Sequence, residues 1–240
     1  MNNESGVLTA FARNMEAMAQ DQGALFSHYP TGGQDRNLLG DTIFTNSTMY
    51  SLVEFKDSIA KINSEKQKRT RVLAVCKAVF NKNPMQMLHD SCHFIAGDDP
   101  KTFEQVMFVY RHAVCNRQIF NKEIEKKLPF LTEKTDTTSK LFLNEYAKDI
   151  FSTTPRFALN VDDFGTYLEM LVNITTEGRK NTEICLIASS INEHKRCISV
   201  RFDNIAKLHE WTSENIYKQS PEKMPEKEPN SSQSLDDFSI

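Results

Sequence analysis

The sequence predicts a mixed α+β protein of the α/β class, with a central mixed sheet flanked by helices. Residues 5–20 set Val7, Leu8, Phe11, Met15 and Met18 at helical spacing. Strand-like runs follow, and the order helix, strand, strand, helix, strand, helix fills the first 115 residues. At 240 residues, 39% hydrophobic and 25% charged, the chain can bury a substantial core.

In chain order, Ser5 is the expected N-cap of the first helix and Gly23 its end. The stretch SHYPTGGQDRN reads as turn and loop. GDTIFTN at 40–46 and MYSLVEFK at 49–56, joined by Asn46-Ser47-Thr48, read as an antiparallel hairpin. Ser64 reads as the cap of a helix whose apolar stripe (Val72, Leu73, Cys76, Val79, Phe80) runs to about Lys82. HDSCHFIAGDD at 89–99 reads as a strand, and Thr102 as the start of a helix reaching Cys115. Residues 117–180 are mostly helical by pattern, most clearly at 161–175, where Asp162 and Asp163 are the expected caps. TEICLIASSI at 182–191 and RCISVRFD at 196–203 form a second strand pair, and a last helix starts at Ile205. The expected organisation is a core at 1–116, a helical and β extension packed on it at 117–216, and a disordered acidic tail at 217–240.

Mean hydropathy is −0.49, and no apolar run approaches the ~18 residues a membrane span needs. The first residues lack the basic and apolar regions of a secretory signal, so a cytoplasmic protein without a membrane partner is expected. The five cysteines (Cys76, Cys92, Cys115, Cys185, Cys197) are odd in number and lack CxxC spacing, which reads as buried reduced thiols. Sequence signatures for serine hydrolases, zinc proteases and dinucleotide sites are absent. His89 and His93, without a nearby third ligand, read as core or surface histidines.

Net charge is −3, but its distribution is uneven. Between Lys61 and Lys82 seven basic residues face one acid, Glu65, giving +6. Three lysines against five acids from Tyr217 onward give −2. A basic stripe on an otherwise near-neutral body fits a chain that meets an anion at one place. Lys66, Lys68, Arg69 and Arg71 lie at the start of the helix after the hairpin and are the candidate phosphate-binding residues.

The chemistry is expected at Asp41, Glu54 and Lys56. Residues two apart on a strand share a face, so Glu54 and Lys56 project together while Val53 and Phe55 turn away. A hairpin pairing 40–46 with 49–56 would bring Asp41 near Glu54. Two carboxylates that converge repel unless a cation lies between them, and hard oxygen ligands suit Mg²⁺ or Mn²⁺. Such an ion activates water and polarises a phosphoryl oxygen, and Lys56 beside it would stabilise charge at the phosphate.

Gly40-Asp41-Thr42-Ile43-Phe44 followed by Leu52-Val53-Glu54-Phe55-Lys56 resembles the metal-binding signature of the PD-(D/E)xK, or restriction-endonuclease-like, nuclease superfamily. The resemblance covers roughly residues 5–100, with Gly40 where a proline often stands. It implies an acid at the start of the second core strand, an acid-x-lysine on the third, and helices before and after the hairpin. It also implies a further metal-ligating acid on the first helix, for which Glu16 is the match, and it sets Gln67 where some members carry a glutamine. The activity implied is a Mg²⁺-dependent endonuclease acting on DNA, with RNA as the other substrate, and a role in anti-phage defence. The other reading is a non-catalytic interaction subunit of a multi-protein defence complex with a nuclease-like fold. The expected partners are DNA, a second copy of the chain, and a protein supplying target recognition, docked through the acidic-apolar tip Leu235-Asp236-Asp237-Phe238-Ser239-Ile240.

Overall fold

The computed structural model describes residues 3–31, 40–80, 84–120, 128, 130–175, 186–191 and 197–215. Among them, seven strands make one mixed sheet. Strands β1 (Ser27–Pro30), β2 (Thr42–Thr45), β3 (Met49–Phe55), β4 (His93–Asp98), β5 (Gln105–Val109) and β6 (Leu141–Phe142) lie side by side in that order. β7 (Leu159–Asn160) pairs with the first residues of β3. Neighbours are antiparallel except β3 and β4, which are parallel. A parallel pair needs a long crossover. Here it consists of a 3₁₀ helix (Ile59–Lys68) and helices α2 (Arg69–Ala78) and α3 (Pro84–Cys92).

Both faces of the sheet are covered, so its central strands are buried throughout, with apolar side chains on both faces rather than alternating with exposed polar ones. Ile43, Tyr50, Leu52, Ile95, Val106 and Phe108 face a core shared with α2, α3, α4 (Tyr110–Val114) and α6 (Val161–Thr175). Their chain neighbours Phe44, Val53, Phe55, Phe94 and Met107 face α1 (Glu4–Asp21) and α5 (Leu143–Ile150). Phe11 of α1 seats its ring 5.4 Å from Phe44 and 5.3 Å from Phe55. A separate hairpin, β8 (Leu186–Ile191) with β9 (Cys197–Phe202), precedes α7 (Ile205–Asn215). None of the described helices is long and apolar enough to cross a membrane.

The hairpin of β2 and β3 turns at Asn46, whose Oδ1 accepts from the Thr48 and Met49 amides at 3.2 and 2.9 Å. Several elements depart from the sequence reading. Residues 89–92 close α3, with Met85, His89 and Cys92 on its buried side, and only His93–Asp98 is strand. Thr102 starts no helix. QVMFV is β5, and the helix begins at Tyr110 and lasts five residues. A strand buried on both faces carries no polar alternation to distinguish it from a helix. The first helix starts at Glu4, and the Asn3 side chain makes no cap hydrogen bond. Ser58, not Ser64, caps the crossover, accepting from the Ala60 amide. Asn160, not the two aspartates, caps α6, accepting from the Asp162 and Asp163 amides at 3.0 and 2.9 Å.

The extension contributes to the core itself, since β6 and β7 join the sheet and α6 covers one face. The expectation of reduced thiols is corrected: Cys76 of α2 and Cys115, just after α4, form a disulfide across 39 residues. These two helices pack side by side, a neighbourhood that cysteine spacing along the chain does not encode. Cys92 is buried and free, and burial pushes its thiol pKa well up. Of the stretch SHYPTGGQDRN, expected as turn and loop, Ser27–Pro30 is strand β1, while Cys185, the Cys197 side chain, residues 32–39 and residues 216–240 with the tip at 235–240 lie outside the described residues.

Candidate active site

Asp41 stands at the head of β2, and Glu54 and Lys56 at the end of β3. The pairing Thr42↔Val53, carried one step further, sets Asp41 across from Glu54, and directly opposed residues share a face. The Asp41 amide donates to Val53 O at 3.1 Å, and its Oδ2 accepts from the Phe55 amide at 2.7 Å. That bond pins the aspartate to the end of the neighbouring strand. Lys56 is fixed on the other side, its amide donating to Ala96 O of β4 at 2.8 Å. Its position depends on Gly97, where a Cβ would come within 2.8 Å of Lys56 O.

Around this strand end lies a buried ionic cluster. Lys56 Nζ donates to Glu54 Oε1 at 2.8 Å and is 2.9 Å from Glu65 Oε1, with Glu4 Oε1 at 3.7 Å. Lys68 pairs with Glu54 Oε1, and Arg71 Nη1 lies 3.5 Å from Glu54 Oε2. Glu54, Lys56, Glu65 and Arg71 expose only 1, 3, 1 and 5% of their surface. Burial alone would raise the Glu54 pKa, but Arg71, Lys56 and Lys68 together lower it to about 2. Burial likewise works against the Lys56 ammonium, yet Glu54 and Glu65 outweigh it and hold its pKa above the ordinary lysine range. At neutral pH Glu54 and Lys56 are therefore both ionised.

Behind it, Tyr110 OH donates to Glu65 Oε2 at 2.7 Å, under the Arg71 guanidinium 5.5 Å above its ring. The His93 ring stacks on Tyr110 at 4.4 Å, and Nδ1 of both His89 and His93 meets Tyr167 OH, at 2.9 and 2.5 Å. Both histidines are fully buried, and burial lowers their pKa values, that of His89 to about 3. They are core histidines.

The structure thus brings Glu54, Lys56, Lys68 and Arg71 together, with Asp41 on the adjoining strand end. It does not bring Glu16 to them. Glu16 sits half-exposed, 3.8 Å from His28, and the α1 carboxylate that reaches Lys56 is Glu4. The basic stripe divides: Lys66 and Arg69 are exposed, whereas Lys68 and Arg71 turn inward onto Glu54. Sequence reading missed Glu4, Glu65 and Tyr110. Glu65 did carry a signal, as the single acid inside the +6 window.

Among the described residues no three His, Cys, Asp or Glu side chains converge as metal ligands. A small dication that keeps several waters needs only one or two carboxylates. Asp41 and Glu54 are hard oxygen donors on facing positions, and Glu54 Oε2 is buried without a hydrogen-bond partner among the described residues. Hard oxygens are the donor type Mg²⁺ and Mn²⁺ take, while both Glu54 oxygens already face the cations Lys56, Lys68 and Arg71. No protein-family model, no curated protein and no solved structure matches this chain.

Proposed function

We propose that the chain is a metal-dependent nuclease that hydrolyses phosphodiester bonds in DNA. The observation that carries this reading is the junction of β2 and β3. There an aspartate heading one strand is bonded to the backbone of the Glu54-Phe55-Lys56 segment ending the next. The helix before the hairpin and the helical crossover after it also accord with the resemblance in the sequence. Asp41 and Glu54 would hold the ion. When bound, Mg²⁺ or Mn²⁺ supplies an activated water and an electrophile for the phosphoryl oxygen. Lys56 stays protonated between two carboxylates, so its contribution is positive charge at the phosphate rather than proton abstraction. Lys66 and Arg69, exposed on the crossover, would meet the nucleic-acid backbone.

A second reading rests on the burial of the same cluster. Glu54 and Lys56 are nearly inaccessible and paired with each other, as expected of a nuclease-like fold that serves as an interaction subunit. The full chain, incubated with supercoiled and single-stranded DNA and with RNA in Mg²⁺, Mn²⁺ or EDTA, separates the two. Metal-dependent cleavage lost in Asp41→Asn, Glu54→Gln and Lys56→Met supports the nuclease. Intact nucleic acid under every condition overturns it in favour of the interaction subunit.

A further inference from the structure

We infer that Glu65 is a positioning residue for Lys56, held in its working orientation by the Tyr110 hydroxyl. The inference rests on the nuclease reading for its functional consequence, while its geometric part stands alone. A lysine side chain at the end of a strand has four rotatable bonds, and ordering it costs up to about 2 kcal/mol of rotamer entropy. Without Glu65 the ammonium keeps Glu54 Oε1 at 2.8 Å and the Phe55 carbonyl at 3.1 Å, both from its own strand end. Glu65 supplies a second carboxylate, at 2.9 Å against 2.8 Å for Glu54, so the Nζ is held between two carboxylates from different elements.

Glu65 can do this because it is itself held. It is 1% exposed on the 3₁₀ helix, and its other oxygen accepts from Tyr110 OH at 2.7 Å. Tyr110 in turn is stacked on His93, which bonds Tyr167 of α6. A continuous line of contacts therefore runs from α6 by way of His93, Tyr110 and Glu65 to Lys56 Nζ. The remaining charged groups around that ammonium do not replace Glu65. Glu4 approaches only to 3.7 Å and is itself less buried, at 23% side-chain exposure. Lys68 and Arg71 are cations that compete for the same carboxylates. Of the two ammonium groups Glu65 meets, Lys56 at 2.9 Å is nearer than Lys68 at 3.6 Å, so its influence on the phosphate would pass chiefly through Lys56.

The test uses the full chain and the variants Glu65→Gln, Glu65→Asp and Tyr110→Phe. With ¹⁵N-labelled lysine at one fixed pH, a rigidly hydrogen-bonded ammonium gives a slowly exchanging Nζ signal, assigned as Lys56 by its absence in Lys56→Met. The wild type is expected to show this signal. Glu65→Gln is expected to lose it, Tyr110→Phe to weaken it, and Glu65→Asp to restore part of it. In the cleavage assay Glu65→Gln is expected to lower kcat by about tenfold to a hundredfold, the range for losing a partner that orients a site residue, with KM unchanged. A merely structural ion pair would lower stability and leave the signal and kcat of the folded fraction alone. An Nζ signal equally sharp in wild type, Glu65→Gln and Tyr110→Phe overturns the inference. If Glu65→Gln fails to fold, Tyr110→Phe decides, since it keeps the carboxylate and removes only its anchor. If the wild type cleaves nothing, the nuclease reading fails while the ammonium signal still decides whether Glu65 positions Lys56.

Discussion

Replacing Lys56 by methionine removes the cation between Glu54 and Glu65 while keeping an unbranched apolar stem in the same space. Removing one partner of a buried ion pair typically costs 3–5 kcal/mol, because the abandoned charge remains buried. Lys68 and Arg71 still neutralise Glu54 in part, so a loss of about 3 kcal/mol at pH 7 is expected, at the lower end of that range. The pH dependence gives the sharper test. Glu54 has a folded pKa of about 2 against an unfolded value of 4.5. A carboxylate so depressed stabilises the fold above its unfolded pKa, and that contribution is lost as pH falls from about 5 to about 2. The shift corresponds to about 3 kcal/mol, shared among its three cations. In Lys56→Met the folded pKa of Glu54 lies nearer its unfolded value, so the variant loses less on acidification. Urea unfolding at pH 7, 5, 4 and 3, followed by far-UV circular dichroism and by the single tryptophan, Trp211, reads this directly. The expected difference from wild type is largest at pH 7 and shrinks below pH 4. A loss under about 1 kcal/mol at pH 7, or an offset that stays constant down to pH 3, would refute the buried-cluster argument.

Gly97→Ala sets a Cβ against Lys56 O, Ile59 N and Ser58 C at 2.8, 3.1 and 3.1 Å, all backbone atoms that cannot swing aside. A destabilisation of about 1–3 kcal/mol is expected, with a shifted Lys56 amide resonance, and an unchanged Tm would contradict it. His89 and His93 are kept neutral by burial, so their contribution is full above an unfolded pKa of 6.5 and fades as pH falls through it toward the folded values. Proton NMR is accordingly expected to show His89 ring signals that do not titrate down to pH 4, and titration near 6.5 would contradict the burial. Replacing Cys76 and Cys115 together by alanine opens a 39-residue loop and is expected to cost about 4 kcal/mol on chain entropy. Reducing agent should destabilise the wild type but not that double variant.

What was legible in the sequence was whatever depended on local period. The Asn46 turn and the two-residue spacing of Glu54 and Lys56 fix a hairpin and a shared face, and both are present. The amphipathic stripes of α1 and α6 were visible for the same reason. What depended on tertiary placement was not legible. Glu4 and Glu16 lie on one helix, and only the way α1 crosses the sheet decides that Glu4 reaches Lys56. Lys68 and Arg71 read as solvated phosphate binders because a chain pattern does not reveal that a buried glutamate awaits them. QVMFV concealed its strand because apolar cover on both faces erases alternation. The Cys76–Cys115 bond follows from the packing of two helices far apart in sequence.

On the proposed function, Asp41 and Glu54 would jointly hold a divalent ion beside Lys56. Electron paramagnetic resonance of free Mn²⁺, titrated with the full chain and competed with Mg²⁺, measures that directly. The wild type is expected to remove one equivalent of the free-ion signal, and Asp41→Asn and Glu54→Gln each to abolish the uptake while remaining folded. Uptake that persists undiminished in both variants, or none by the wild type, would contradict the claim.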